Sequence, residues 1–167
     1  MSVKLARAEE KDLGEAMSII NAAKRLLKDS GVDQWQNGYP DEACILGDIR
    51  KGSGWFAEED GVRLGYLCVD FGGEPAYEHL KGEWATPEPY AVVHRLAFSP
   101  AARGRGLSSA VFRLAEELAL ARGVHAMRVD TDDGNARMKH ILEKNGFTYR
   151  GTIWFDSSVK IAYDKPL

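Results

Sequence analysis

Cysteine, long apolar runs and surplus positive charge are all scarce in this chain, and each scarcity removes a class of protein. Cys44 and Cys68 are the two cysteines in 167 residues. Neither belongs to a C-x-x-C pair or stands near a histidine at zinc-ligand spacing, so neither a disulfide scaffold nor a bound metal is expected. Both lie in apolar stretches, where a free thiol in a reduced, cytoplasmic setting is the ordinary expectation. No apolar run approaches the length of a membrane span, and no signal-peptide core is visible, so no membrane partner is expected. The formal net charge is −3. That lacks the basic surplus that phosphate backbones select, which argues against nucleic acid. Internal repeats, low-complexity tracts and linker-like stretches are missing too, so residues 1–167 are expected to form a single domain.

What is present is an ordinary globular composition, 44% apolar and 28% charged. A chain of this length can bury roughly 70% of its unfolded surface without staples. Strands are expected over 3–7, 55–58, 62–71, 90–98, 125–131, 147–155 and 160–164, and helices over 11–28, 41–51, 105–122 and 135–145. The first helix carries Leu13, Met17, Ile20, Ala23 and Leu27 on one face. The third carries Leu107, Val111, Leu114, Leu118 and Ala121 and is followed by Gly123, a fitting cap. Asp41 suits the cap of the second helix, and Asp60-Gly61 marks a hairpin. Residues 30–40 and 72–89 read as loops. The second is longer than connections inside compact domains usually are. This alternation predicts an α/β fold around one mixed sheet.

The chemistry concentrates at one junction. After the strand 90–98 come Ser99-Pro100-Ala101-Ala102-Arg103-Gly104-Arg105-Gly106, and then the third helix. A helix N-terminus offers unpaired amides and roughly half a positive charge. Glycines let those amides approach a phosphate, and Arg103 and Arg105 add forked donors. The segment reads as a pyrophosphate cradle, although a loop that needs glycine merely to turn would carry the same residues. It is not a Walker loop, because no Gly-Lys-Ser/Thr follows. Nor is it G-x-G-x-x-G, whose third glycine position holds Ser109.

Leu96-Ala97-Phe98-Ser99-Pro100-Ala101-Ala102-Arg103-Gly104-Arg105-Gly106-Leu107 resembles the acetyl-CoA pyrophosphate loop of the GNAT superfamily of N-acetyltransferases. That pattern is Gln/Arg-x-x-Gly-x-Gly/Ala at a strand–helix junction. In one register Arg103 and Gly106 match and Ser108 departs; in the other Gly104 and Gly106 match and Ala101 departs. Downstream, Asn135-Ala136-Arg137-Met138-Lys139-His140-Ile141-Leu142-Glu143-Lys144-Asn145-Gly146-Phe147 resembles the family's Asn-x-x-Ala-x-x-Leu-Tyr-x-Lys-x-Gly-Phe helix. Two motifs in this order, within a matching order of elements, identify the chain as a member of that superfamily. The resemblance implies a central mixed, twisted sheet of about seven strands flanked by about four helices. A V-shaped splay is expected between the fourth and fifth strands.

The same resemblance implies direct acetyl transfer from acetyl-CoA, within a ternary complex and without a metal, to the amine of a small molecule or peptide. It leaves a homodimer open. Backbone groups of Leu96, Ala97 and Phe98 would pair with the pantetheine arm, and one N–H there would polarise the thioester carbonyl. Arg103, Gly104, Arg105, Gly106, Leu107, Ser108 and Ser109 would hold the pyrophosphate, and Asn135 and Lys139 would lie along the arm. His94 resembles the strand histidine of arylalkylamine N-acetyltransferases, and an unperturbed pKa of about 6.5 suits a base near neutrality. A packed, inert histidine is the competing reading. Asp130 and Asp132 end the facing strand, where a carboxylate could meet a substrate ammonium, and Asp130 could take its proton; for Asp132, as for Asp133, the start of a helix is the stronger reading. The family's usual tyrosine acid is replaced by Leu142, so that role is not carried over; Tyr149 and Tyr163 are other hydroxyls within reach of the idea.

Trp35, Tyr39, Tyr77, Trp84 and Tyr90 sit in or beside the two loops. They fit an aromatic acceptor wall or lid, or simple loop anchors. Glu74, Glu78, Glu83 and Glu88 make the second loop acidic. A non-catalytic acyl-CoA-binding or regulatory module is the alternative function, favoured by Leu142 and by the lack of a glutamate on the strand 90–98. A nucleotide switch would need the Walker lysine that is missing.

Overall fold

The computed structural model describes residues 2–167. Its elements, in chain order, are β1 (Lys4–Arg7), α1 (Leu13–Asp29), α2 (Glu42–Arg50), β2 (Gly54–Glu59), β3 (Val62–Asp70), β4 (Lys81–Gly82) and β5 (Ala91–Phe98). They continue with α3 (Leu107–Ala121), β6 (Ala126–Thr131), α4 (Ala136–Lys144), β7 (Thr148–Phe155) and β8 (Ser158–Pro166). The strands form one sheet in the order β1-β2-β3-β5-β6-β8-β7-β4. The chain divides into two compact units, and β5 and α3 each contribute to both.

The first unit holds the chain up to Val69 together with Arg95–Leu114. Here β1, β2 and β3 run antiparallel, and the Asp60-Gly61 turn has both residues at positive φ (51° and 80°), as a type I′ hairpin loop requires. The period of α1 buries Ala16, Ile19 and Ile20. They meet Ile45 and Ile49 of α2, Phe56 of β2 and Tyr66 of β3 in one core. Asp41 accepts the Cys44 amide at 2.9 Å and so caps α2. β5 lies close against β3: a Cβ added at Gly65 would stand 2.9 Å from the Ala97 carbonyl oxygen, so glycine is required there.

The second unit holds Asp70–His94 and Ala115–Leu167. β5 begins parallel to β6, with Ala91 opposite Met127 and Val92 opposite Arg128. β6 pairs antiparallel with β8 along its whole length, from Ala126 to Thr131. Two residues of β6 thus pair with β5, whereas all six pair with β8. β8 pairs with β7. Tyr77, Tyr90, Val92, Ala126, Ile153 and Ala162 form this unit's core.

The sheet has eight strands rather than about seven. The extra strand is Lys81–Gly82, inside the stretch 72–89 read as a loop, and it pairs with Thr152 and Gly151 of β7. A Cβ on Gly82 would lie 2.0 Å from the Arg150 carbonyl oxygen, and one on Gly151 would lie 2.2 Å from the Lys81 carbonyl oxygen. Two facing glycines permit this contact, but a lysine and a glycine carry no strand propensity to announce it. Among the described residues, no helix is long and apolar enough to cross a membrane.

Candidate active site

The glycine-rich turn lies in the first unit. A short 3-10 turn, Pro100–Ala102, leads from β5 to Arg103, and α3 starts at Leu107. Gly104 and Gly106 adopt φ of 78° and 68°, and a Cβ at either would meet no atom within 4 Å. Their glycine requirement comes from the backbone, and the space over them is open. Nearby, Ser99 Oγ and Arg103 Nε are buried without a hydrogen-bond partner, an uncommon state for polar atoms. Open glycines, orphaned donors and the first amides of α3 fit a phosphate-bearing ligand such as acetyl-CoA. Both arginine forks have a partner within the chain. Arg103 Nη2 donates to the Ala22 carbonyl at 2.9 Å, and Arg105 Nη2 pairs with Glu59 at 2.9 Å.

A second group of candidates meets in the second unit. His94 is 8% exposed. Its ring stacks against Phe155, with centroids 6.1 Å apart, and lies 6.4 Å from the ring of Tyr77. The Tyr77 hydroxyl donates to Asp130 Oδ1 at 2.6 Å. Burial, and then the Asp130 carboxylate, push the Tyr77 hydroxyl well above its ordinary pKa, so it stays a donor. An imidazole and a carboxylate from different strands are thus gathered around one phenol.

The aromatic residues of the loops turn inward. Trp35, at φ 65°, packs on the core of the first unit, and the Tyr39 hydroxyl accepts from Arg95 Nη1 at 2.7 Å. In the second unit, Arg128 lies over both Trp84 and Tyr90, 4.4 and 4.1 Å from the ring centroids. The chain's own guanidinium therefore occupies those ring faces. Arg128 also donates to the Thr86 carbonyl at 2.7 Å, and the Trp84 indole donates to the Tyr77 carbonyl at 3.0 Å. A cavity of about 440 Å³ opens beside this stack, with Glu78, Glu83 and Glu88 on its walls.

α4 starts as its motif implies. Asn135 is its N-cap and accepts the Met138 amide at 3.1 Å. Lys139 pairs with Asp133 at 2.9 Å, while Asp132 pairs with Lys160. Leu142, in place of the usual tyrosine, is fully buried. Tyr163 is buried too. Burial, followed by Glu143, raises its hydroxyl pKa, and the half-exposed Tyr149 ring meets it edge-on at 5.9 Å.

Three residues that hold these parts were not singled out from sequence: Asp48, Arg95 and Asp164. One of them left a signal. Asp48 falls between Ile45 and Ile49 on the buried face of α2, where a carboxylate implies a buried partner.

A model of the acetyltransferase (GNAT) family matches residues 20–147. Among solved structures, a GNAT-family acetyltransferase from Streptococcus agalactiae is 32% identical, with 99% of this chain and 95% of that chain covered and a TM-score of 0.88. A second, from Listeria monocytogenes, is 23% identical over 99% and 95% of the two chains, with a TM-score of 0.80. The aminoglycoside acetyltransferase AAC(6')-Ib, solved with ribostamycin and coenzyme A, shares the fold at 21% identity and a TM-score of 0.70, over 99% of this chain and 94% of that one. A comparison with curated proteins found no match.

Proposed function

The chain belongs to the GNAT acetyltransferase family, and from that membership we propose that it carries an acetyl group from acetyl-CoA to a primary amine by direct transfer in a ternary complex. The observation that carries this reading is the grouping of His94 and Asp130 around Tyr77. Acetyl-CoA supplies an activated acetyl thioester when bound. The amides that open α3, with Ser99 Oγ, bind its phosphates, and the backbone of Leu96, Ala97 and Phe98 aligns its arm. Asp130 attracts the substrate ammonium. His94 accepts a proton from it, directly or through one water, and frees the lone pair that attacks. A backbone N–H of β5 stabilises the oxygen as negative charge develops. Leu142 has no proton to give; as the adduct collapses the thiolate, of pKa about 8.5, can leave as the anion, and the second proton shed by the acylated nitrogen passes to that thiolate or to water.

A small-molecule amine in the cytoplasm is the favoured acceptor. AAC(6')-Ib, which shares the fold, is crystallised with ribostamycin, and the carboxylates around the second-unit cavity suit a cation. The test is thiol release from acetyl-CoA across a panel of amines. His94→Ala lowers turnover by roughly 10²–10⁴-fold and leaves acetyl-CoA affinity nearly unchanged. Near-normal turnover would make His94 structural and turn attention to Asp130. Acetyl-CoA binding without thiol release from any amine would favour a binding module instead.

A further inference from the structure

Five described residues other than glycine have positive φ, and Arg95 alone among them lies within a strand. Its φ of 55° falls in the left-handed region that L side chains rarely adopt, and such a conformation persists only where the surroundings enforce it. The surroundings here are a buried clamp within the first unit. Arg95 Nε donates to Asp48 Oδ2 at 2.8 Å and Nη2 to Oδ1 at 2.6 Å, a bidentate pair with side chains 10% and 7% exposed. The third arm of the guanidinium, Nη1, donates to the Tyr39 hydroxyl at 2.7 Å. Asp48 Oδ2 also accepts from the Tyr66 hydroxyl at 2.9 Å, so the carboxylate is itself fixed. A planar fork held at three nitrogens leaves its side chain little freedom, and that constraint passes back to the Arg95 backbone.

We propose that Asp48 is a positioning residue. It grips the Arg95 guanidinium, keeps residue 95 left-handed, and so sets the direction in which the peptide groups of Leu96, Ala97 and Phe98 present themselves to acetyl-CoA. This rests on the acetyl-CoA reading above. A left-handed residue inside a strand carries a backbone strain that an ordinary φ would avoid, and the clamp offsets that cost.

Two double variants test it. Asp48→Asn with Arg95→Gly and Asp48→Asn with Arg95→Ala both remove the ion pair without stranding a buried charge. Glycine adopts positive φ freely and alanine does not. NMR couplings report φ at residue 95, calorimetry reports acetyl-CoA affinity, and urea titration reports stability. The expected result is negative φ and about tenfold weaker acetyl-CoA binding in the alanine double variant. The glycine double variant should keep positive φ and bind within about threefold of the wild type, even if it is the less stable of the two. Equal affinities in the two double variants, or positive φ retained at Ala in position 95, would overturn the clamp. Failure of the wild type to bind acetyl-CoA would instead sink the acetyl-CoA reading, and the φ measurement would still decide whether Asp48 holds the backbone.

Discussion

Replacing Asp164 with asparagine should loosen the segment that follows β4 and cost the protein a measurable part of its stability. The carboxylate is fully buried on β8. Its Oδ2 accepts from the Ala85 amide at 2.9 Å, the Thr86 amide at 3.0 Å and the Thr86 hydroxyl at 2.9 Å, and its Oδ1 accepts from Arg150 Nε at 2.7 Å. Asparagine has one acceptor oxygen. Its best orientation leaves that oxygen on the three donors of residues 85 and 86 and turns an NH2 toward Arg150. One charge-assisted bond, about 1.5–3 kcal/mol, is lost outright, and the remaining three weaken without the negative charge. A total of about 2–4 kcal/mol follows, which for a chain of this size lowers the melting temperature by roughly 5–15 °C. The pH dependence gives a second check. Burial alone would raise this carboxyl, but Arg150, then Thr86 and the two amides, outweigh it and hold the pKa below its ordinary value. The contribution is therefore complete above the unfolded value of about 3.9 and disappears as pH falls through the lower folded value. Urea unfolding at pH 7, repeated in steps toward pH 3, should show the gap between wild type and Asp164→Asn closing only below about pH 4. A gap under about 1 kcal/mol at pH 7, or one that survives unchanged in acid, would refute the reasoning.

Other substitutions probe the remaining parts. Gly106→Val places a branched side chain at φ 68° and should cost about 1–2 kcal/mol of stability. Calorimetry should show a larger loss in acetyl-CoA binding, whereas outright unfolding would assign the glycine to the fold. Tyr77→Phe removes the 2.6 Å bond to Asp130. It should lower turnover with the accepted amine about tenfold or more with acetyl-CoA affinity intact, and by the usual worth of a bond to a charged group destabilise by about 1.5–3 kcal/mol; unchanged turnover would make the pair structural. Trp84→Ala uncovers one side of the Arg128 guanidinium. Lost packing and cation–π attraction together should cost about 3–5 kcal/mol in urea unfolding, and a loss below about 1 kcal/mol would show that the stack is incidental.

Apart from β4, the order of helices and strands was legible in the sequence, as were the hairpin at Asp60-Gly61, the cap at Asp41 and the glycine turn before α3. Each is written in neighbouring residues: a spacing of apolar side chains, a capping oxygen, or a glycine where φ must be positive. Asn135 was legible as a helix start for the same reason. What tertiary structure alone decided are pairings across distance. Tyr77 reaches Asp130, 53 positions away, and only the packing of residues 72–89 against β6 brings His94 beside them. The Lys81–Gly82 strand exists because Gly151 faces it. Arg103 reads as a phosphate donor from its motif, and α1 supplies the Ala22 carbonyl that accepts from one of its nitrogens, Nη2. Arg95 reads as one more residue of a strand, and its left-handed turn depends on a carboxylate 47 positions earlier in the chain. Periodicity specifies which face of an element is buried, but the partner that satisfies a buried charge is chosen by the fold.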